Sequence, residues 1–281
     1  MAFTHLHVHT EFSLLDGFCK IKELPGVVKS MGQTACAITD HGVMYGVIDF
    51  YRACKAEGVK PIIGCEVYVA PRTRFDKVHA LDREAYHLVL LCENETGYRN
   101  LSYMVSQANL DGFYGKPRID LSLLREHHEG LIALSACLAG EIPKRLLAGN
   151  YEGAKEQALK MAELMGEDNY YLEIQDHGIE EQKVVLEGIL RIHKETGIPL
   201  VATNDAHYIR REDAAMQEVL LCIQTGKSLD DPEHISLEGY PEELGEKNEG
   251  WKKEVETLLR NSEDGKIMTE GIRTVILGKP N

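Results

Sequence analysis

A regular alternation of short apolar runs and longer helical patterns fills about the first 225 of the 281 residues and constrains the fold most strongly. Apolar runs of roughly four to eight residues are typical of buried strands, and apolar residues three and four apart are typical of helices. Repeated strand–helix units predict an α/β fold with a mostly parallel sheet. The predicted strands are residues 3–8, 35–39, 60–69, 87–92, 131–137, 170–175 and 199–203. The predicted helices include residues 46–57, 97–109, 151–165, 180–195 and 211–224.

Two architectures satisfy this pattern. The strands could form an open doubly wound sheet or a closed barrel, and periodicity does not separate the two. Both architectures place ligands at the carboxyl ends of their strands. A functional site is therefore sought where each predicted strand ends.

Charge and composition exclude several classes of protein. Acidic residues outnumber Lys and Arg by 45 to 31, giving a net charge of −14, so the chain lacks the basic surface of a self-sufficient nucleic-acid binder. The sequence has no run of about 18 uncharged apolar residues, so no membrane span is expected. Its start lacks a secretory signal, which predicts a cytoplasmic location. The seven cysteines form no Cys-x-x-Cys pair, so we expect reduced thiols.

Metal-binding residue types lie within the predicted strands or at their ends. The first strand ends in a His-x-His-x-His pattern, whose alternate side chains share one face. Such a pair alone is weak evidence for a metal site, since about 0.5 His-x-His pairs arise by chance in a chain of this composition. Six of the seven strands nevertheless deliver a ligand type. These residues are His7, His9, Asp40, His41, Glu66, His87, Cys137, Asp205 and His207.

Each residue also has an ordinary structural role available. His87 and Cys137 could be packing residues, which is the commoner fate of either type in an apolar run. Asp16 and Asp40 could form caps or turns. Glu66 is harder to explain in this way, because a carboxylate inside an apolar strand is costly to bury without a cation or a donor. The shared placement of all these residues favours a metal site.

The mixture of imidazoles and carboxylates suits Zn²⁺, Mn²⁺ or Fe²⁺ and contains too much nitrogen for a calcium site. Several divalent ions close together generate a hydroxide nucleophile near neutral pH and neutralise phosphate oxygens. The residues therefore point to hydrolysis of a phosphoester.

Four segments resemble the polymerase and histidinol phosphatase (PHP) family. They are residues 5–17 (HLHVHTEFSLLDG), 38–42 (ITDHG), 64–66 (GCE) and 203–208 (TNDAHY). Segments 95–101, 112–120 and 225–232 are similar to the PHP domains of bacterial DNA polymerase III alpha subunits in particular. The resemblance covers residues 1–236, which we expect to form one domain.

The resemblance implies a distorted (β/α)7 barrel, related to TIM barrels, that binds two or three divalent ions. The implied ligands are His7, His9, Asp16, His41, Glu66, His87, Cys137, Asp205 and His207. Among these, His9, Asp205 and His207 are the expected catalytic residues. We also expect Asp40 to orient His41. Lys116 and Arg118 are candidate phosphate contacts, although a solvated loop is the favoured interpretation for both.

The implied activity is a metal-dependent phosphoesterase, of the 3′ to 5′ exonuclease type, linked to DNA replication. The expected partners are a DNA 3′ end or a small phosphoester, and other replisome subunits. The alternatives are a metal-stabilised scaffold without catalysis and a small-molecule phosphatase of the histidinol phosphatase type. Polymerisation by this chain alone is not expected.

The sequence changes character after residue 236. Residues 237–281 resemble a fragment of the tRNA-modifying GTPase MnmE and predict a short helical tail. A phosphate-binding loop starting at Gly278 would lack its lysine, so no GTP binding is expected. The run 274–277 could form an exposed strand edge.

Overall fold

The computed structural model describes residues 3–232 and 234–237. The predicted tail, residues 237–281, lies outside the described residues except for its first residue, and the boundary at residue 236 stays a prediction. The chain divides into two compact units. Within the described part, the first unit contains residues 3–40, 45–63 and 204 onward, and the second contains residues 41–44 and 64–203.

The first unit is built around a short parallel strand pair. Strand β1 (Ala35–Ile38) is buried at all four residues and pairs with the first residues of β2 (Lys60–Val69), from Ala35 opposite Lys60 to Ile38 opposite Ile63. Helix α2 (Val47–Glu57) is capped at its end by Gly58, whose φ of 74° suits glycine. The elements of this unit are α1 (Leu24–Ser30), β1 (Ala35–Ile38), α2 (Val47–Glu57), the start of β2 (Lys60–Val69), a 3₁₀ turn (Arg211–Asp213) and a last helix (Ala214–Thr225).

The predicted first strand, residues 3–8, is wrong as a continuous strand. The structure gives this segment only isolated bridges, with His5 beside Cys36 and Val8 beside Ala206. One reason is that a side chain replaces a ladder partner, because the Val8 amide donates to Thr39 Oγ1 at 2.8 Å. The segment is nevertheless buried between residues 4 and 10.

The second unit contains the larger part of the sheet. Its strands after β2 are β3 (Tyr86–Cys92), β4 (Arg118–Ile119), β5 (Leu131–Leu134), β6 (Tyr170–Ile174) and β7 (Leu200–Ala202). They are ordered β2, β3, β5, β6, β7, and β4 pairs with β2. Its helices are α3 (His79–Asp82), α4 (Glu95–Leu110), α5 (Leu121–His127), α6 (Glu141–Leu147), α7 (Tyr151–Met165) and α8 (Glu180–Thr196). The last helix of the first unit is accordingly α9.

The sheet is mixed rather than uniformly parallel. Strand β3 runs antiparallel to both β2 and β5, whereas the other strand pairs are parallel. The end of β2 faces the start of β3, with Val69 opposite Tyr86, so the chain returns through a loop instead of crossing over the sheet. Strand β4 was missed by the sequence, since two residues in a Gly- and Pro-containing segment carry no periodic signal.

The five predicted helices are present as α2, α4, α7, α8 and α9, and side-chain caps define the starts of three helices, α4, α5 and α7. Asn94, Asp120 and Asn150 each accept a hydrogen bond from the backbone amide three residues later. Helix α7 has the predicted bounds, and α4 and α8 differ from theirs by one or two residues. Within residues 3–232 and 234–237, every helix is too short or too polar to cross a membrane.

Candidate metal centre

The nine predicted ligands fall into two groups, one in each unit. The first, called here the Asp205 group, consists of His7, His9, Asp16, Asp205 and His207. The second, called the Glu66 group, consists of His41, Glu66, His87 and Cys137. Each group is described by itself, and a single cluster of all nine ligands stays a prediction.

In the Asp205 group, imidazoles surround one carboxylate. Asp205 Oδ1 lies 3.1 Å from His7 Nε2, 3.2 Å from His9 Nε2 and 3.8 Å from His207 Nδ1. His207 Nε2 lies 3.9 Å from Asp16 Oδ2, and the ring of His207 stacks on that of His9 at 4.4 Å. His7 and His9 are fully buried. These donors therefore converge within the reach of a metal ion.

The backbone holds the segments that carry these side chains side by side. The His9 amide donates to Ala206 O at 2.8 Å, and the Ala206 amide donates to His7 O at 3.1 Å. Asp205 itself has a φ of 49°, a left-handed conformation that aspartate tolerates better than most residues. The ends of two distant segments are thus fixed against each other by main-chain hydrogen bonds.

The loop that carries Asp16 is fixed by close packing. A Cβ on Gly17 would lie 2.2 Å from Thr10 O, so only glycine fits at this position. The buried Gln217 of α9 donates its side-chain amide to the Asp16 carbonyl. Leu15 has a φ of 62°, so the loop also holds an uncommon backbone conformation.

A hydrogen-bond relay supports His9 from behind. His9 Nδ1 lies 3.0 Å from Ser13 Oγ, and the Ser13 hydroxyl donates to Asp40 Oδ1 at 2.8 Å. Thr10 donates both its amide and its hydroxyl to the same carboxylate, at 2.6 and 2.8 Å. Because the serine proton goes to Asp40, Ser13 accepts from His9 Nδ1–H. The His9 Nε2 atom then faces Asp205, as a proton donor while the ring is charged and as a lone pair once a metal ion replaces that proton. The sequence predicted that Asp40 orients His41, whereas these contacts connect Asp40 to His9.

The protonation of Asp205 follows from its neighbours. Burial raises the pKa of this carboxyl, but the charges of His7 and His207 and the hydrogen bond from His9 outweigh burial and hold the pKa below its usual range. Asp205 is therefore an anion at neutral pH, as a metal ligand must be.

In the Glu66 group, one buried carboxylate contacts two imidazoles and a thiol. His41 Nδ1 lies 2.6 Å from Glu66 Oε2, and His87 Nδ1 lies 3.1 Å from Glu66 Oε1. Cys137 Sγ lies 3.8 Å from Glu66 Oε1 and 3.7 Å from His87 Nδ1. One ligand atom from each of His41, Glu66 and His87 can be chosen so that all lie within 4.8 Å of one another.

Strand register brings this group together. Glu66 on β2 faces Val89 on β3, and Tyr68 faces His87, so Glu66, Tyr68 and His87 share one face of the sheet. His41 reaches the same place because the Gly42 amide donates to Glu66 O at 2.9 Å. Cys137 follows the end of β5 by three residues.

The donor chemistry of both groups fits a divalent transition metal. Glu66 is only 1% exposed, and a carboxylate so buried is costly unless a cation or strong donors compensate it. Imidazole nitrogen, carboxylate oxygen and, in the Glu66 group, thiol sulfur are the ligands that Zn²⁺, Mn²⁺ and Fe²⁺ accept. The residues present therefore suit the metal implied by the sequence.

The two candidate phosphate contacts differ in their environment. Arg118 is fully buried, and its guanidinium donates to backbone carbonyls of Gly112, Asp82 and Asp76 at 2.9–3.0 Å. It lies neither in a solvated loop nor within reach of a ligand, so both expectations for Arg118 were wrong. Lys116 is exposed, and its Nζ lies 3.3 Å from Tyr68 Oη.

Sequence reasoning missed three residues that support the site: Ser13, Tyr68 and Gln217. Ser13 stands four residues after His9, close enough to serve as its partner, but serine in a loop is too common to be singled out. Tyr68 has the period-two relation to Glu66 that places both on one strand face. Gln217 lies about two hundred residues from Asp16, and no local pattern connects them.

Comparison with known proteins decides the family. Residues 5–177, more than half of the chain, match the PHP domain. The chain belongs to the PHP family. This PHP domain is 50% identical over 238 residues to the DNA polymerase III subunit alpha of Treponema pallidum, an alignment that covers 84% of this chain and 20% of that protein. It is 48% identical over 237 residues to the subunit of the same name from Thermus aquaticus, covering 83% of this chain and 19% of that protein.

The chain thus spans about a fifth of the length of these polymerase subunits. An amidohydrolase structure from Chromobacterium violaceum aligns with 14% identity and a TM-score of 0.48, over 75% of this chain and 89% of that chain. The predicted family and the predicted α/β fold class of PHP type are confirmed. The resemblance of the tail to a GTPase fragment lies outside the described residues.

Proposed function

We propose that this PHP domain is a metal-dependent phosphoesterase that hydrolyses phosphodiesters at a DNA 3′ end. The proposal rests on one observation: the Nε2 atoms of His7 and His9 both lie within 3.2 Å of Asp205 Oδ1. Two imidazoles and a carboxylate at such distances are the ligand set of hydrolytic metal sites. The naming of its relatives as DNA polymerase subunits supports a DNA end as the substrate.

In this proposal the Asp205 group and the Glu66 group hold the ions, two or three in total, of Zn²⁺, Mn²⁺ or Fe²⁺. Bound divalent ions supply positive charge that polarises a phosphoryl oxygen and lowers the pKa of a water molecule. The surrounding residues orient the ligands towards the metal ions. In the metal-bound state the Ser13–Asp40 relay keeps the lone pair of His9 on Nε2, as described above.

His207 has an arrangement like that of His9. Its Nδ1 lies 2.8 Å from the Asp205 carbonyl oxygen, so Nδ1–H donates and Nε2 carries the lone pair. We therefore propose His9, Asp205 and His207 as the catalytic residues. In a longer polymerase polypeptide, such a domain would act on DNA ends beside other replisome subunits.

The test measures shortening of a 5′-labelled single-stranded oligonucleotide by the purified protein with Mn²⁺. Asp205→Asn removes the charge at the centre of its group, and we expect turnover to fall by at least about 100-fold. Asp49→Asn is the matched control, because Asp49 is exposed on α2 and should leave turnover unchanged. Retained turnover in Asp205→Asn would contradict the proposed mechanism.

The same assay separates the alternatives. A wild-type protein that binds metal and hydrolyses neither the oligonucleotide nor histidinol phosphate would be a scaffold, since a scaffold can keep its ions. Faster hydrolysis of histidinol phosphate than of the oligonucleotide would instead indicate a small-molecule phosphatase.

A further inference from the structure

A buried arginine holds three segments of the second unit together. The Arg118 guanidinium donates to the carbonyl oxygens of Gly112, Asp82 and Asp76, as described above. Each of these residues has a large apolar neighbour in the sequence, and all three neighbours are more than half exposed: Phe113, Leu81 and Phe75. Because the donors of one guanidinium lie in a fixed planar fork, the three backbone segments meet around it. Two exposed rings and a leucine therefore surround one buried charge.

The loop that carries Phe75 is held in place by two buried carboxylates. Arg72 donates to both oxygens of Asp82, at 2.9 and 2.6 Å. Arg74 donates its backbone amide and its guanidinium to Asp120, at 2.9 and 3.1 Å. Arg74 Cζ also lies 4.2 Å from the centroid of the Phe75 ring. The ring is thus positioned before a ligand arrives, which lowers the entropy lost on binding.

Positive charge is concentrated in the same loop. Residues 71–83 contain four Lys or Arg and two Asp, whereas the whole chain has a net charge of −14. Arg72 and Arg74 are paired with carboxylates. Lys77 and Arg83 are exposed, and neither has an ion-pair partner in the described part of the chain. Their charges are therefore available to an anion from solution.

The exposed residues around Arg118 lie next to the Glu66 group. The backbone of Arg118 on β4 pairs with that of Tyr68 on β2, and paired strands lie about 4.8 Å apart. The ring of Tyr68 lies 5.1 Å from that of His87. Arg118 is therefore one strand away from the strand that carries Glu66. The exposed residues are called here the Phe75 surface: Phe75, Lys77, Leu81, Arg83 and Phe113.

This combination of side chains favours one class of ligand. Exposed rings beside unpaired positive charges bind single-stranded nucleic acid, because bases stack on the rings and phosphates are attracted to the charges. In a duplex the faces of the bases are already stacked on each other, so the rings can be used by unpaired bases. An apolar protein partner would bury the charges of Lys77 and Arg83 without a counter-charge, which is costly.

We propose that the Phe75 surface binds unpaired nucleotides of the DNA strand whose 3′ end is hydrolysed. Phe75 stacks on a base, and Lys77 and Arg83 contact phosphates. The proposal rests on the proposed phosphoesterase function and narrows its substrate to single-stranded DNA. These residues contribute affinity and take no part in the chemical step.

The test measures binding of a fluorescent single-stranded oligonucleotide by anisotropy. Its 3′-terminal linkages are phosphorothioates, which resist hydrolysis, and the protein is used as purified with its metal. We expect Phe75→Ala to weaken the affinity about tenfold, because a stacked base is lost. Phe75→Tyr should keep most of the affinity. Tyr51→Ala is the matched control and should bind like the wild type, since Tyr51 is also an exposed ring beside a cation, Lys55, on α2.

A second strand separates stacking from charge. It has the same length, and abasic deoxyribose units replace its nucleotides. Phe75→Ala should leave the affinity for this strand unchanged, because it offers no base to stack. Lys77→Met should weaken binding of both strands about threefold and should lower the slope of log affinity against log salt by about 0.7. Lys160→Met, whose lysine is exposed on α7, should match the wild type with both strands.

These measurements also distinguish this proposal from the proposed function, because they require no hydrolysis. Binding with the expected losses, in a protein that shortens no oligonucleotide, would leave the surface intact and reject only the phosphoesterase. Equal affinity of Phe75→Ala and the wild type for the strand with bases would overturn the surface. An equal loss of both strands in Phe75→Ala, or a similar loss in Tyr51→Ala, would overturn it as well and leave a protein partner as the occupant.

Discussion

The two ligand groups are organised by different means. In the Asp205 group the imidazole of His9 is held by side chains, through Ser13 to the carboxylate of Asp40. In the Glu66 group, strand pairing places Glu66 and His87 on one sheet face, and a backbone hydrogen bond brings His41 to them. Main-chain hydrogen bonds hold the segments of both groups, but only in the Asp205 group does a relay of side chains also fix the ring of a ligand, whereas the ladder places Glu66 and His87.

This difference has a consequence for substitutions. Replacing Ser13 or Asp40 should disturb the Asp205 group, because the main-chain hydrogen bonds hold its segments together but do not orient the ring of His9. The Glu66 group should be sensitive to changes of the ligands themselves and insensitive to most other side chains. The two groups should also prefer different metal ions. Only the Glu66 group includes a thiol, a soft ligand, among the proposed ligands.

The largest effect is expected for a ligand at the centre of a group. Glu66→Gln keeps the shape of the side chain but removes the negative charge that two imidazoles approach. We expect the affinity for one metal ion to fall on the order of 100-fold while the other ions stay bound. Titration with Zn²⁺ after removal of metal by a chelator measures this change.

Glu95→Gln serves as its control, because the Glu95 side chain is 77% exposed on α4. Loss of every ion in Glu66→Gln would show that the two groups do not bind independently. That outcome would contradict the proposal that each group binds its own metal ion.

A smaller effect is expected for the thiol, and it concerns the choice of metal. Cys137→Ser replaces a soft ligand by a hard one, so we expect Zn²⁺ affinity to fall about 30-fold and Mn²⁺ affinity to change little. Competition between the two ions, followed by elemental analysis, measures the shift. Cys92→Ser is a suitable control, since burial raises the pKa of the Cys92 thiol to about 12 and keeps it protonated. An equal loss of both ions would argue against sulfur coordination.

A residue of this site can be predicted from the sequence when its role follows from its neighbours in the chain, and cannot when its role depends on contacts with distant segments. Candidate metal ligands could be chosen from the pattern alone, because the sequence itself shows where an apolar run is followed by His, Asp or Cys. The pairing of Glu66 with His87 could not, because it requires β3 to run antiparallel to β2. Strand direction depends on tertiary packing that a period of two does not encode.

The supporting residues were less predictable still. Ser13 and Asp40 are ordinary loop and strand-end residues, and their role follows only from the contact between segments 27 residues apart. The first predicted strand failed for a related reason, since the Thr39 side chain takes the place of a ladder partner for Val8. Contacts of this kind combine a side chain with a distant backbone, and hydrophobic periodicity carries no information about them.

The smallest effect follows from the relay and tests the contrast directly. Asp40→Asn leaves the size of the side chain unchanged, but it removes the negative charge and replaces one of the two oxygens that together accept three hydrogen bonds from Thr10 and Ser13. The proton on His9 Nδ1 is then held less firmly, and we expect metal affinity at the Asp205 group to fall about tenfold. Ser13→Ala should produce a similar loss, and the double variant should lose little more than either single one, because both act through His9. Metal binding at the Glu66 group should be unchanged in all three; a matching loss there would mean that the relay stabilises the whole protein rather than orienting one imidazole.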